Sequence, residues 1–206
     1  MAEMGISTTV DPLPRPAFTN APPENTLHDE EWKHRPPYHI QSPHERGPVQ
    51  WTGYCQCRRI SYTLDRKQPL NAKFCHCRGC QVMHGAPFQW AVIFHKEDVS
   101  FRNGSSGLSF YSASHQSLDY SVPTKVSCSF CRTPIMDEGR NVCLLFPQLI
   151  ELRGSPDEQR KQREMFKPTC HIYYEQRMLD VPDGLPKWSQ MDGSSQLLNE
   201  GQSAKQ

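Results

Sequence analysis

The sequence predicts a mainly β fold, on three observations. Short runs of β-formers recur at roughly even spacing. Gly, Asn, Asp and Pro punctuate them. Strong helix-start signals stand out at one place, near 156–166. The 206 residues are 36% hydrophobic with a mean hydropathy of −0.71. One domain with a modest core and polar extensions is therefore expected.

The elements follow in chain order. Residues 1–48 read as a proline-rich N-terminal arm, because nine of the 18 prolines fall there. Each proline fixes φ and removes a donor, so neither helix nor central strand can run far. Trp32 and Tyr38 favour an arm that wraps the domain over a disordered tail, which would be poor in aromatics. The domain proper is expected over 49–188. Tyr54–Leu64 mixes β-formers with polar breaks, and Gln89–Phe94 is a compact β-rich run. Ser109–Ser112, Lys125–Cys128, Val142–Phe146 and His171–Tyr174 read as further short strands. Ser155-Pro-Asp-Glu158 is a capping box with proline at the first helical position, and Pro168 closes the helix that follows. Residues 189–206 read as a polar tail.

Composition excludes several function classes. A net charge of +1, from 23 basic and 22 acidic residues, lacks the basic excess of a nucleic-acid binder. No stretch approaches the ~20 apolar residues of a membrane span. The first residues have neither a basic nor an apolar leader region, so a cytoplasmic protein with reduced thiols is expected. No repeat points to a solenoid.

The nine cysteines carry the functional signal. Cys55 and Cys57 form C-x-C, Cys75, Cys77 and Cys80 form C-x-C-x-x-C, and Cys128 and Cys131 form C-x-x-C. An odd count in a reduced protein argues against a disulfide framework. Thiolates on tight turns are zinc ligands, and a closed structural site takes four. The seven clustered cysteines divide as four plus three, which fits one structural zinc and one catalytic zinc with an open position. Spacing leaves the pairing open, and it also allows His76 or His84 to fill the open position. Cys143 and Cys170 read as small buried hydrophobes. The C-x-x-C motifs lack the βαβ context of a thioredoxin-like redox site.

Gly53–Tyr62, Cys75–Phe88 and Cys128–Pro134 together resemble the glutathione-dependent formaldehyde-activating enzyme family, which includes the centromere protein V group. The likeness runs from about Gly53 to Phe146 and resumes at Pro168–Tyr173 and Asp183–Pro186. It implies an Mss4-like fold of folded antiparallel sheets with two zinc sites. It assigns Cys55, Cys57, Cys128 and Cys131 to the structural zinc, and Cys75, Cys77 and Cys80 to the catalytic one. Arg132 stands where the family usually has glycine. The resemblance also implies carbon–sulfur lyase chemistry, the joining of formaldehyde to glutathione as a co-substrate.

The remaining candidates come from residue type and position. His84, four residues past Cys80, and His171 are the acid–base candidates, with His76, Asp137 and Glu138 behind them. Lys73 and Arg78, with Arg58 and Arg59 more remote, would anchor the carboxylates of glutathione. Phe88 and Trp90, with Val92, would share one strand face and form an aromatic wall suited to a lipophilic ligand. A small-molecule substrate is expected on either reading. Three functions follow: a formaldehyde–glutathione lyase, the same zinc acting as Lewis acid on a lipophilic small molecule, or a zinc-stabilised binding module.

Overall fold

The computed structural model describes residues 30–42, 44, 45 and 47–198. Most of the expected arm, and residues 199–206 of the expected tail, lie outside them. Among the described residues two sheets form. The first joins β1 (Trp51–Tyr54), β2 (Ser61–Leu64) and β5 (Val99–Phe101), all antiparallel. The second also contains β3 (Asn71–Cys75), β4 (Gln89–His95), β6 (Leu108–Tyr111), β7 (Thr124–Cys128), β8 (Pro134–Glu138), β9 (Val142–Leu145), β10 (Cys170–Ile172), β11 (Lys187–Trp188) and β12 (Leu197–Leu198). Its order is β12-β11-β10-β3-β4-β9-β8-β7-β6. Only β10 runs parallel to its neighbours, β3 and β11. This mainly β, two-sheet architecture is consistent with the Mss4-like fold.

Alternation along the strands builds the core. Val92 and Phe94 on β4, Leu145 on β9 and Met136 on β8 point inward and are buried. They pack in one cluster with Tyr62 and Leu64 of β2 and Phe101 of β5, so the core lies between the sheets. Gly53 on β1 belongs there because a Cβ would stand 2.1 Å from the ring of Tyr62. Trp51 of β1 meets Phe166 edge-on at 4.9 Å, which carries the segment after the second helix onto the core.

The helix expected near 156–166 is α2, Pro156–Glu164, with the capping box in place: Ser155 Oγ accepts from the Glu158 N–H. A second short helix, α1 (Arg78–His84), corrects the expectation of one helix. Its N-cap is the thiol of Cys77, and Gly85 ends it at φ 57 in the left-handed region. Residues 189–198, expected as tail, form a hairpin that brings β12 onto β11. Within the expected arm, a 3₁₀ turn (Glu31–His34) leads to Tyr38, which is 1% exposed and belongs to the core. No helix among the described residues is long and apolar enough to cross a membrane.

Candidate metal centres

Two loops at one end of the molecule's β hairpins bring four sulfurs together. Cys55 and Cys57 follow β1; Cys128 ends β7, and Cys131 lies in the turn to β8. Cys57 Sγ is 3.5 Å from that of Cys55 and 3.8 Å from that of Cys128. Each loop turns on an arginine in the left-handed region, Arg58 at φ 61 and Arg132 at φ 62. Their N–H groups return to the carbonyls of Cys55 and Cys128, both at 2.9 Å. A glycine meets that conformation at least cost, so both arginines hold a backbone that a glycine would adopt without strain.

The second cluster is local to one strand–helix junction. Cys75 ends β3, Cys77 caps α1 and Cys80 lies in its first turn. Cys75 and Cys80 sulfurs are 3.7 Å apart, and the Cys80 N–H donates to Cys77 Sγ at 3.4 Å. Sulfurs about 2.3 Å from one tetrahedral ion lie about 3.8 Å apart. The observed separations of 3.5–3.8 Å in the two clusters fit that donor set. Both groups, Cys55/Cys57/Cys128/Cys131 and Cys75/Cys77/Cys80, could hold a metal ion, with all ligand atoms of each within 4.8 Å of one another. Cys143 and Cys170 are buried apart from both groups.

Sheet register decides which candidates meet the three-cysteine cluster. Cys75 pairs across β3–β4 with Gln89, and Phe74 with Trp90. Asp137 shares a rung with Leu144, Ile93 and Lys125. By alternation, Cys75, Gln89, Asp137 and Lys125 share one face of the nine-stranded sheet. Trp90, Phe74 and Val92 occupy the other, core face. There Trp90 Nε1 donates to the carbonyl of Phe166 at 3.0 Å, and Phe88 packs on Phe74 and His76 at 5.0 Å each. The expected aromatic wall is thus turned away from Cys75.

The two candidate histidines separate in the same way. His84 sits one turn beyond Cys80 on α1, and its Nε2 donates to Gln89 Oε1 at 3.0 Å. Gln89 Nε2 donates to Asp137 Oδ2 at 3.1 Å, and Lys125 Nζ to the same oxygen at 2.5 Å. Burial holds His84 below the ordinary histidine pKa, against the pull of Asp137. His171 is buried on the core face, where Phe74 lies beside it at 5.1 Å. Its Nε2 meets Asp183 Oδ2 at 2.9 Å, and its Nδ1 meets His76 Nε2 at 2.8 Å.

The proposed carboxylate anchors fare differently. Lys73 Nζ is ion-paired with Asp192 at 2.5 Å. Arg78 is exposed, and its guanidinium lies 3.4 Å from Gln81 Oε1. Lys125 and Gln89 were not among the expected site residues. A charged side chain in each of two strands flanking the C-x-x-C hairpin, Lys125 and Asp137, is the sequence signal that points to Lys125; Gln89 opens its strand with no such signal.

Comparison with known proteins places these features in context. A family model described as glutathione-dependent formaldehyde-activating enzyme matches residues 50–176, more than half of the chain and all seven clustered cysteines. No curated protein matches the chain. Among solved structures, a crystal structure of a Rhodobacter sphaeroides protein is similar at 16% identity. The match covers 52% of this chain and 93% of that one, with a TM-score of 0.38.

Proposed function

The chain belongs to the glutathione-dependent formaldehyde-activating enzyme family, and from that premise we propose a zinc-dependent enzyme of carbon–sulfur lyase type that joins formaldehyde to the thiol of glutathione. The observation that carries this reading is the inequality of the two clusters, four sulfurs against three. Four close a structural site, whereas three leave a position for a reacting group. A zinc ion at Cys75, Cys77 and Cys80 would supply Lewis acidity, favouring a thiolate at neutral pH and polarising a carbonyl.

The chain's own residues then orient and balance charge. In the addition, the thiolate sulfur forms a bond to the carbonyl carbon as the π pair moves to oxygen. The proton that the thiol released to solvent returns to the alkoxide. His84, with its proton held on Nε2 by Gln89, keeps Nδ1 as an acceptor one turn beyond Cys80 on the same helix. Nine free cysteines suit a reducing compartment such as the cytoplasm. The lipophilic-ligand reading rested on Phe88 and Trp90 and loses its support with Trp90 on the core face.

The test is turnover of formaldehyde with glutathione, run beside calorimetry with glutathione alone, in protein whose metal content is two zinc ions per chain. Turnover that disappears in Cys80→Ser supports the lyase. Binding heat without turnover points to a binding module. Neither turnover nor heat, with both metals present, rejects glutathione as substrate.

A further inference from the structure

We infer that Lys125 anchors a negatively charged oxygen of the ligand at the open side of the Cys75/Cys77/Cys80 cluster, and that Asp137, Gln89 and His84 hold it in place. The inference rests on reading that cluster as an open metal centre, and it adds to that reading a residue and a ligand chemistry. It starts from the cost of burying charge. The Lys125 side chain is 23% exposed and that of Asp137 17%, on a rung they share with Leu144 and Ile93. A partly buried ion pair of this kind adds little net stability, since desolvation offsets much of the Coulomb gain. Packing alone does not call for a lysine here.

The geometry supplies a reason. Lys125, Asp137 and Gln89 stand on the sheet face that ends in Cys75. His84 stands one helical turn from Cys80. The hydrogen bonds run without a break from His84 through Gln89 and Asp137 to Lys125, at 3.0, 3.1 and 2.5 Å. The chain therefore links the strand side of the cluster to its helix side. It also fixes each amide and ring orientation: Asp137 accepts from both Gln89 and Lys125, so Gln89 turns its oxygen to His84. Asp137 takes one of the three N–H groups of the ammonium.

Charge agrees with position. Burial works against the Lys125 ammonium, but the ion pair with Asp137 outweighs it and keeps the pKa above the ordinary lysine value. Lys125 thus stays protonated across physiological pH on the face that carries Cys75. A permanently charged donor of this kind gives a hydrogen bond and keeps its proton. Its complement is an anionic oxygen.

Two oxygens qualify: a carboxylate already on the ligand, or the alkoxide formed when a thiolate adds to a carbonyl. The experiment separates them. Zinc-loaded wild type, Lys125→Met and Lys125→Arg are first matched for metal content and circular dichroism. Each is titrated calorimetrically with mercaptoacetate and with 2-mercaptoethanol, an anionic and a neutral thiol. A carboxylate anchor predicts a preference for mercaptoacetate of about tenfold or more in wild type, the ratio expected for one charged hydrogen bond. Lys125→Met should abolish it and Lys125→Arg restore part of it. An alkoxide anchor predicts no such preference, but a kcat for formaldehyde and glutathione lowered about tenfold or more in Lys125→Met at unchanged KM.

Unchanged preference and unchanged kcat in fully metallated Lys125→Met overturn the inference. Loss of metal from the three-cysteine site in that variant overturns it too, since Lys125 would then serve the thiolates alone. Should Lys125→Met not fold, Asp137→Asn carries the same readouts, because it loosens the ammonium without removing it. Absence of turnover in wild type would reject the lyase reading and the alkoxide source, while the thiol preference still decides the carboxylate anchor.

Discussion

In the pair His76–His171, one carboxylate sets both tautomers. Asp183 accepts from His171 Nε2, so neutral His171 presents Nδ1 as an acceptor, and His76 must donate from its Nε2. That leaves His76 Nδ1 bare and buried without a partner. Burial, with the neighbouring His171 adding to it, pushes the His76 pKa down to about 4. Burial also lowers His171, against the opposing pull of Asp183. Both histidines therefore bind protons more readily in the unfolded chain than in the folded one. Their contribution to stability is complete above about pH 6.5 and is lost as pH falls towards 4. The His76 shift alone corresponds to about 3 kcal/mol. The melting temperature should fall over this window, and His76→Gln, less stable at neutral pH, should show a shallower fall. An identical slope in the two proteins would show that other groups set the acid limit. Histidines 76 and 171 were visible as candidates in the sequence, but their pairing was not, because it joins residues 95 apart through β10. Trp90 was misplaced for a smaller reason: a strand offers two faces, and one residue of offset exchanges wall for core.

Among the elements, the legible ones were those whose signals are local. The capping box of α2 lies within four consecutive residues, and the observed bonds are those the residue types imply. The helix α1 escaped because its cap is a cysteine and its turns contain Gly79 and Val82, which are poor helix formers. The strands β6, β7, β9 and β10 fall where β-rich runs were read, while β3 and β8 carry Asn71, Lys73, Pro134, Asp137 and Glu138, which mask the pattern. Glu138 shows why an acid can sit in a buried strand. It is 1% exposed, and its carboxylate accepts from Tyr38 at 2.6 Å, Tyr120 at 2.7 Å and Lys96 at 2.6 Å. Trp32 stacks on Tyr120 at 3.8 Å and meets Tyr38 edge-on. The segment containing Trp32 and Tyr38 is thus held by a charged hydrogen bond and a ring cluster. Tyr38→Phe keeps the ring and removes one donor from a buried carboxylate. It should cost about 1.5–3 kcal/mol in a denaturant melt, the range for a hydrogen bond to a charged group. A change within a few tenths of a kcal/mol would mean that Lys96 and Tyr120 satisfy Glu138 without it.

At the scale of the whole molecule, the two cysteine clusters differ in what they join. The four-cysteine group takes Cys55 and Cys57 from the loop after β1, in the three-stranded sheet, and Cys128 and Cys131 from the β7–β8 turn of the nine-stranded one. The three-cysteine group joins residues 75–80 to one another. Spacing alone allowed several pairings; the structure brings together the set that the resemblance implied. The resemblance implied folded antiparallel sheets, but which strands fall in which sheet was not legible, because strand runs carry no record of their partners and β2 pairs with β5 across more than thirty residues. A metal bound between two sheets contributes to their docking, and binding energies of about 10–16 kcal/mol for structural zinc rival the about 5–15 kcal/mol of a whole domain. A metal bound within one strand–helix junction orders that junction alone. Cys55→Ser and Cys128→Ser should therefore give insoluble or largely melted protein. Cys77→Ser and Cys80→Ser should keep the β-sheet circular dichroism and lose one metal per chain. A chelator should remove metal from the three-sulfur site first, since its open position exchanges ligands, and the melting temperature should change little until the second metal leaves. The reverse ranking, with Cys80→Ser unfolded and Cys55→Ser intact, would mean that the strand–helix junction, not the bridge between sheets, holds the fold together.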